Sequence, residues 1–215
     1  MQSKNTMTSR NLRLPFTLLL VITTLLQGCG GLIVGAGGAA ALAAHDRRDA
    51  KTIMVDEAIE SKATDKLYGD SSINKRIHVN ITSYNRVVLV TGETLSHDLR
   101  DQVVKIVRNI PNVRRVHNEL VVADLTSFKS RSHDTWITSK VKSQMVNAKG
   151  LDSTRVKVVT ENGSVYLMGL VTNKEADIAV DATRNVDGVK RVVKMFEYIP
   201  EPEPTPAKTE TSKTS

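Results

Sequence analysis

From residue 50 onward the apolar positions follow two periods in turn, and the sequence of periods occurs twice. Val55, Ile59, Ala63 and Leu67 recur every four residues, as do Ile137, Val141 and Met145, and this spacing predicts a helix with one apolar stripe. The period then shortens to two. "IHVNITS" and "RVVLVT" alternate around the turn residues Tyr84 and Asn85, and "VKVVT" and "SVYLM" do so around Glu161, Asn162 and Gly163, the pattern of a β-hairpin. The helical period returns over about 96 to 109, with Leu99, Val103, Ile106, Val107 and Ile110, and over about 173 to 186. Pro111-Asn112 and Asp187-Gly188 suit a left-handed helix stop. "RRVHNELVV" and "RVVKMFEY" close each set as a last strand. The order is helix, strand, strand, helix, strand, twice, and the expected class is α+β, a small three-stranded sheet packed on two helices in each copy.

The copies are also related residue by residue. "DEAIESK" (56 to 62) matches "DTWITSK" (134 to 140), "NRVVLVTGETLS" (85 to 96) matches "GSVYLMGLVTN" (163 to 173), and "VRNIPNVRRV" (107 to 116) matches "TRNVDGVKRV" (183 to 192). The offsets of 78, 77 and 76 residues keep their order, so two copies of one domain are expected, at 48–124 and 125–199. Each is near the lower size limit for a self-sufficient core, which packing of one copy on the other would ease. Ile59, Leu67, Val79, Val88, Val90 and Val103 are the expected core of the first copy. Ile137, Val141, Met145, Val158, Val165, Leu167 and Val192 are the expected core of the second. Gly92 and Gly169 fall where a strand gives way to a helix and are expected to serve a tight turn.

"VVLVTG" with "NIPNVRRVHNEL", and "VYLMGLV" with "NVDGVKRV", resemble the BON domain. Upstream, residues 1–28 read as a signal peptide. Lys4, Arg10 and Arg13 with no acid precede "FTLLLVITTLL", too short to span a bilayer, and "LQGC" ends at Cys29, the single cysteine. That ending resembles the lipobox of bacterial lipoproteins, although an ordinary signal peptide with a chance cysteine would look similar. The tandem repeat behind a lipobox resembles the dual BON-domain outer-membrane lipoproteins associated with division and envelope stress. The resemblance implies an N-acyl diacylglyceryl group on Cys29 and no other cofactor. Gly30 in place of an aspartate implies the periplasmic face of the outer membrane. It also implies that the second BON domain meets anionic phospholipid.

Residues 29–47, with "GGLIVGAGGAAALAA", read as a Gly/Ala-rich tether or as a segment lying on the bilayer. Residues 200–215, "PEPEPTPAKTETSKTS" from Pro200, read as a disordered tail. The formal charge of +7 falls to +4 once Lys4, Arg10 and Arg13 are removed, leaving 27 Lys and Arg against 23 Asp and Glu. A periplasmic address makes nucleic acid an unsuitable partner for that charge. Phospholipid head groups, peptidoglycan and acidic proteins remain.

Catalytic motifs are not visible along the chain. His45, His78, His97, His117 and His133 show no i,i+3 or i,i+4 spacing, there is no second cysteine, and no oxygen-ligand run suggests a metal. A Ser/His/Asp elbow is lacking as well. The chain does not read as an enzyme.

The informative departure between copies is Trp136, the only tryptophan, which stands where the first copy has Ala58. With Trp136 at zero on a helical wheel, Ile137, Val141, Met145 and Ala148 cluster at roughly 100° to 180°, so the indole points away from the core. Lys140, Ser143 and Val146 share its side, flanked by Lys142. Three acids of the first helix, Glu57, Glu60 and Asp65, become Thr135, Thr138 and Ser143 in the second. A displayed indole among lysines suits the head-group level of an anionic bilayer. Two other readings stay open. Trp136 could pack on the first domain or on "TSFKSR", or serve as a hot spot for an outer-membrane assembly factor or cell-wall enzyme.

Overall fold

A computed structural model describes residues 46–125 and 128–201, apart from the side chains of residues 128 and 129. These residues lie in one compact unit. The signal peptide, Cys29, most of the tether and most of the tail lie outside the described residues.

The first domain runs α1 (Ala50–Tyr68), β1 (Ile77–Tyr84), β2 (Val87–Thr94), α2 (His97–Arg108) and β3 (Arg115–Val122). The second runs α3 (Phe128–Asn147), β4 (Lys157–Glu161), β5 (Ser164–Val171), α4 (Asn173–Arg184) and β6 (Arg191–Tyr198). Each sheet has its second strand in the middle, antiparallel to the first and parallel to the third. The parallel pair needs a crossover, and α2 and α4 supply it. Ser96 and Thr172 cap these helices, Thr172 in a reciprocal capping box with Glu175. The observed order is the one the two periods predict, and the two sheets stay separate.

Local details differ from the sequence reading by a residue or a few. The hairpin turns are Asn85-Arg86 and Asn162-Gly163, all four at positive φ, the backbone of a two-residue type I′ turn. Tyr84 and Glu161 therefore end strands instead of sitting in turns. The second helices stop at Arg108 and Arg184, and Asn112 and Gly188 hold left-handed φ only after a further turn. Five residues, not ten, separate β3 from α3. Gly92 and Gly169 serve no tight turn. They lie within β2 and β5, where a Cβ on Gly92 would sit 2.0 Å from the His78 carbonyl oxygen and one on Gly169 2.5 Å from that of Arg155. Close backbone approach requires glycine at both, and the φ of +113° at Gly92 requires it a second time.

Each sheet buries one face under its own helices. Ile59, Leu67, Val79, Val88, Val90 and Val103 all lie in the first core, and Ile137, Val141, Met145, Val158, Val165 and Leu167 in the second, with Val192 packed at its margin. The opposite faces of the two sheets meet each other. Tyr84 and Leu89 from the first domain pack with Tyr166 and Met168 from the second, and Val159, Leu170, Val193 and Met195 surround them. The layers are helices, sheet, sheet, helices. This explains why β2 is buried at every position and reads as the near-continuous run "VVLV".

Polar groups frame this seam. Lys157 pairs with Glu60 at 2.8 Å, Arg191 with Glu119 at 3.0 Å, and Arg114 with Glu197, each pair joining the two domains. The chain entering from the N-terminal side adds a clasp. Arg48 bonds Asp56 of α1 and lies 4.0 Å over the Tyr84 ring, while Arg47 bonds Glu175 and the Leu170 carbonyl of the second domain. Asp46 and Arg47, read as the end of a tether, belong to the fold.

Burial opposes ionisation of Glu175, but hydrogen bonds from Arg47, from the Thr172 amide and from Arg155 outweigh it and hold its carboxyl at about 2. A depressed carboxyl stabilises the folded state above the ordinary carboxylate pKa and stops doing so as pH falls through the folded value. Stability should therefore decline between about pH 4.5 and 2, by up to about 3 kcal/mol for this group. Denaturant unfolding of wild type and Glu175→Gln across that range checks it. The variant should be weaker at pH 7 and show a shallower acid slope.

Candidate functional site

The site on α3 begins with a buried aspartate. Asp134 is 6% exposed, and its carboxylate accepts hydrogen bonds from the amides of Asn162 and Gly163, both at 2.9 Å. Asp56 does the same for Asn85 and Arg86 in the first domain, at 2.8 and 2.7 Å, and also accepts from the Ser83 hydroxyl. A type I′ turn points two amides inward with no strand partner, and an ionised carboxylate satisfies both. These aspartates stand in the helical repeats as if solvated, but they fasten each first helix to its hairpin. Asp134 therefore presents no exposed carboxylate on the outer face of α3.

On that outer face Trp136 is 52% exposed. The His133 ring, one turn before it, stacks at 5.7 Å between centroids and 29° between planes. Lys140, one turn after it, holds its ammonium 3.5 Å from the indole centroid and donates to the Asp187 carbonyl at 2.7 Å. The i−3 and i+4 neighbours thus hold the indole in one orientation with its outer part in solvent. Sequence reasoning placed Trp136 and Lys140 together but did not use His133, whose i−3 spacing was the available signal. Lys140 is partly buried, because it anchors the indole as well as carrying charge.

The other residues of the expected patch are on the same helix and open to solvent. Ser143 is exposed and Val146 is 68% exposed. Lys142 is exposed too, but lies about two-thirds of a turn round from Trp136 and so flanks the patch at a distance. Trp136 is not among the buried residues that pack the seam between the sheets.

The first domain shows what the tryptophan replaces. Around Ala58 the surface is an open depression of about 270 Å³, bordered by Met54, Val55, Lys62, Pro111 and Asn112. His133, Trp136, Lys140 and Asp187 occupy the corresponding positions in the second domain. The contrast in acids is partly structural. Glu60 bonds Lys157 and the Ser83 amide, whereas Thr138 bonds Thr160 at 2.7 Å, so that exchange answers to the seam and its surroundings. Glu57 and Asp65, by contrast, are exposed, and their loss at Thr135 and Ser143 changes surface charge alone.

A pair of helix–sheet units of this topology, joined through their sheets and carrying one aromatic display, defines a tandem α+β module. The BON domain family model matches residues 55–124 and 133–200, which are the two units. The chain belongs to the dual BON-domain lipoproteins. It is 38% identical over 182 residues to the outer membrane lipoprotein DolP of Haemophilus influenzae, covering 85% of this chain and 94% of that one. It is 30% identical to a 21 kDa hemolysin of Actinobacillus pleuropneumoniae, over 72% of this chain and 79% of that one. It is 31% identical to the osmotically-inducible protein Y of Escherichia coli, over 65% and 70%. Among the described residues no helix is long and apolar enough to cross a membrane.

Trp136→Ala should leave the unfolding midpoint within a few degrees of wild type, since Ala58 stands at the matching place and an exposed truncation costs little. Asp134→Ala should instead cost about 2–3 kcal/mol, because it strands two turn amides, that of Gly163 buried and that of Asn162 partly so. Denaturant melts of the two variants side by side check both.

Proposed function

We propose that this lipoprotein binds anionic phospholipid through the outer face of α3 and so supports outer-membrane integrity and the division site. The observation that carries the reading is the half-exposed indole of Trp136, held between His133 and Lys140 on a face that buries its aspartate. Indole is most stable where apolar and wet environments meet, and the head-group layer is such a place. Val146 adds a second apolar contact at shallow depth. Each lysine near an anionic surface contributes about 1 kcal/mol, and no exposed acid of the helix's central turns offsets Lys140 and Lys142. In this reading Cys29 is the acylated N-terminus, on the periplasmic face of the outer membrane. Lipid anchoring of the chain then makes a weak patch sufficient, because binding becomes local to one surface.

The test is sedimentation of the protein with vesicles of zwitterionic lipid, with and without added phosphatidylglycerol. Binding should require the anionic lipid and weaken as salt is added. Trp136→Ala should lower affinity about tenfold, near 1.4 kcal/mol, and Lys140→Glu should lower it further by reversing charge and freeing the indole. Ala58→Trp should confer no second site, because Glu57 and Asp65 remain exposed beside it. If Trp136→Ala binds as wild type does, or lipid charge has no effect, the face docks a protein of the assembly or cell-wall machinery instead. Mass spectrometry of the membrane form should find Cys29 triacylated, and Cys29→Ala should release the protein from membranes.

A further inference from the structure

The seam between the sheets is closed differently at its two ends. At one end β1, β2 and β4 bring together His78, Glu93 and Glu161, one ligand atom from each lying within 4.8 Å of the others. His78 and Glu93 are direct cross-strand neighbours, with Nδ1 3.0 Å from a carboxylate oxygen of Glu93. Glu161 reaches them from the other domain. Both carboxylates are buried, the side chain of Glu93 to 2% exposure, while His78 keeps 17% and opens the cluster to solvent. Asn162 donates to Glu93 and Asn80 to Glu161, each at 2.8 Å, and the Thr91 hydroxyl donates to the same Glu161 oxygen at 3.2 Å.

The repeat supplies a comparison for this place. Shifted by 77 residues, His78 and Glu93 correspond to Arg155 and Leu170, and Tyr84 corresponds to Glu161. At that opposite end the positive charge is built in. Arg48 covers the Tyr84 ring, Arg47 bonds the Leu170 carbonyl, and Arg155 pairs with Glu175. The end with His78 has two carboxylates and an imidazole at the equivalent positions. Two buried carboxylates this close favour a cation between them, since repulsion and lost hydration otherwise both act against the closed seam.

We propose that His78, Glu93 and Glu161 form a divalent-cation site of the zinc class that bridges the two domains. One imidazole nitrogen with two carboxylates suits zinc better than calcium or magnesium, which take oxygen ligands. Zinc bonds to nitrogen and oxygen of about 2.0–2.2 Å put neighbouring tetrahedral ligands about 3.3 Å apart, so the present spacing needs small side-chain shifts only. Asn80 or Asn162, turned over, would offer a carbonyl oxygen, and water the remaining position. The ligands sit on three strands of two sheets, so cation binding tightens the seam itself. Gly92, paired opposite Val79 and pressed on the His78 carbonyl, sets how closely β1 and β2 approach at the site.

The experiment uses the full chain, tag-free and in detergent, stripped with a chelator and titrated with zinc chloride against a chromophoric competitor. Wild type should bind one zinc per chain through this site, with its unfolding midpoint raised by several degrees, and calcium or magnesium should do neither. Glu161→Gln, Glu93→Gln and His78→Gln should each weaken zinc binding at least tenfold and abolish the midpoint rise. The two Glu→Gln variants are isosteric and relieve repulsion, so without metal they should melt at or above the wild-type temperature, which separates lost ligation from lost folding. Absence of a stoichiometric zinc site in wild type, or zinc binding unchanged in all three variants, overturns the proposal and leaves a hydrogen-bonded carboxylate pair.

Discussion

The packing of one sheet directly on the other is the constraint from which the rest follows. A three-stranded sheet with helices on one face leaves the other face apolar, and a domain of this size has nothing else to cover it with. Leu89, Tyr84, Tyr166 and Met168 are that face, and they cover each other. The helices are thereby pushed to the two outsides of the molecule. That is why α3 can present a whole side to its surroundings, and why the pair behaves as one unit and not as two beads.

Because the sheets are committed to the seam, each hairpin turn must be secured from the helix side. Asp56 and Asp134 do this, and the consequence for the surface is electrostatic. An acid that would otherwise sit on the first turns of α3 is turned inward to serve two amides. The same helix lost two exposed acids relative to its twin. What remains outward on the helix is an indole braced by a histidine and a lysine, with Asp187 the exposed acid beside them. The fold provides the face, and a handful of substitutions between the copies give it chemistry.

Much of this was legible along the chain, for physical reasons that can be named. Four-residue spacing of Ile137, Val141 and Met145 marks a helix wherever it occurs, and the same wheel turns Trp136 outward. The repeat makes Ala58 a built-in control for Trp136. Asp56 and Asp134 were not legible, because a helical aspartate looks solvated until the turn it caps is in place. Gly92 and Gly169 read as turn glycines along the chain, because a turn, a close backbone approach and a positive φ inside a strand all call for the same residue. The seam left a trace in the unbroken "VVLV", yet a strand covered by helix and sheet reads the same as one covered by two layers of helix. His78, Glu93 and Glu161 come from separate strands and two domains, so no spacing rule could join them.

The two copies have diverged unequally over their surfaces, and the location of the differences carries meaning. Core positions and the turn-capping aspartates match, since each answers to the same internal geometry. The ends of the seam do not match, because the segment carrying Arg47 and Arg48 enters at one end only and supplies guanidinium groups there. The likeness of the two copies is broken at one end of the seam by a single entering segment, and the far end is closed by other residues. The outer helices differ for a separate reason, as one copy displays Trp136 and the other leaves an open depression at Ala58. Duplication provides a stable frame with two of every surface, and asymmetry at the chain's entry leaves the two copies with different exposed chemistry.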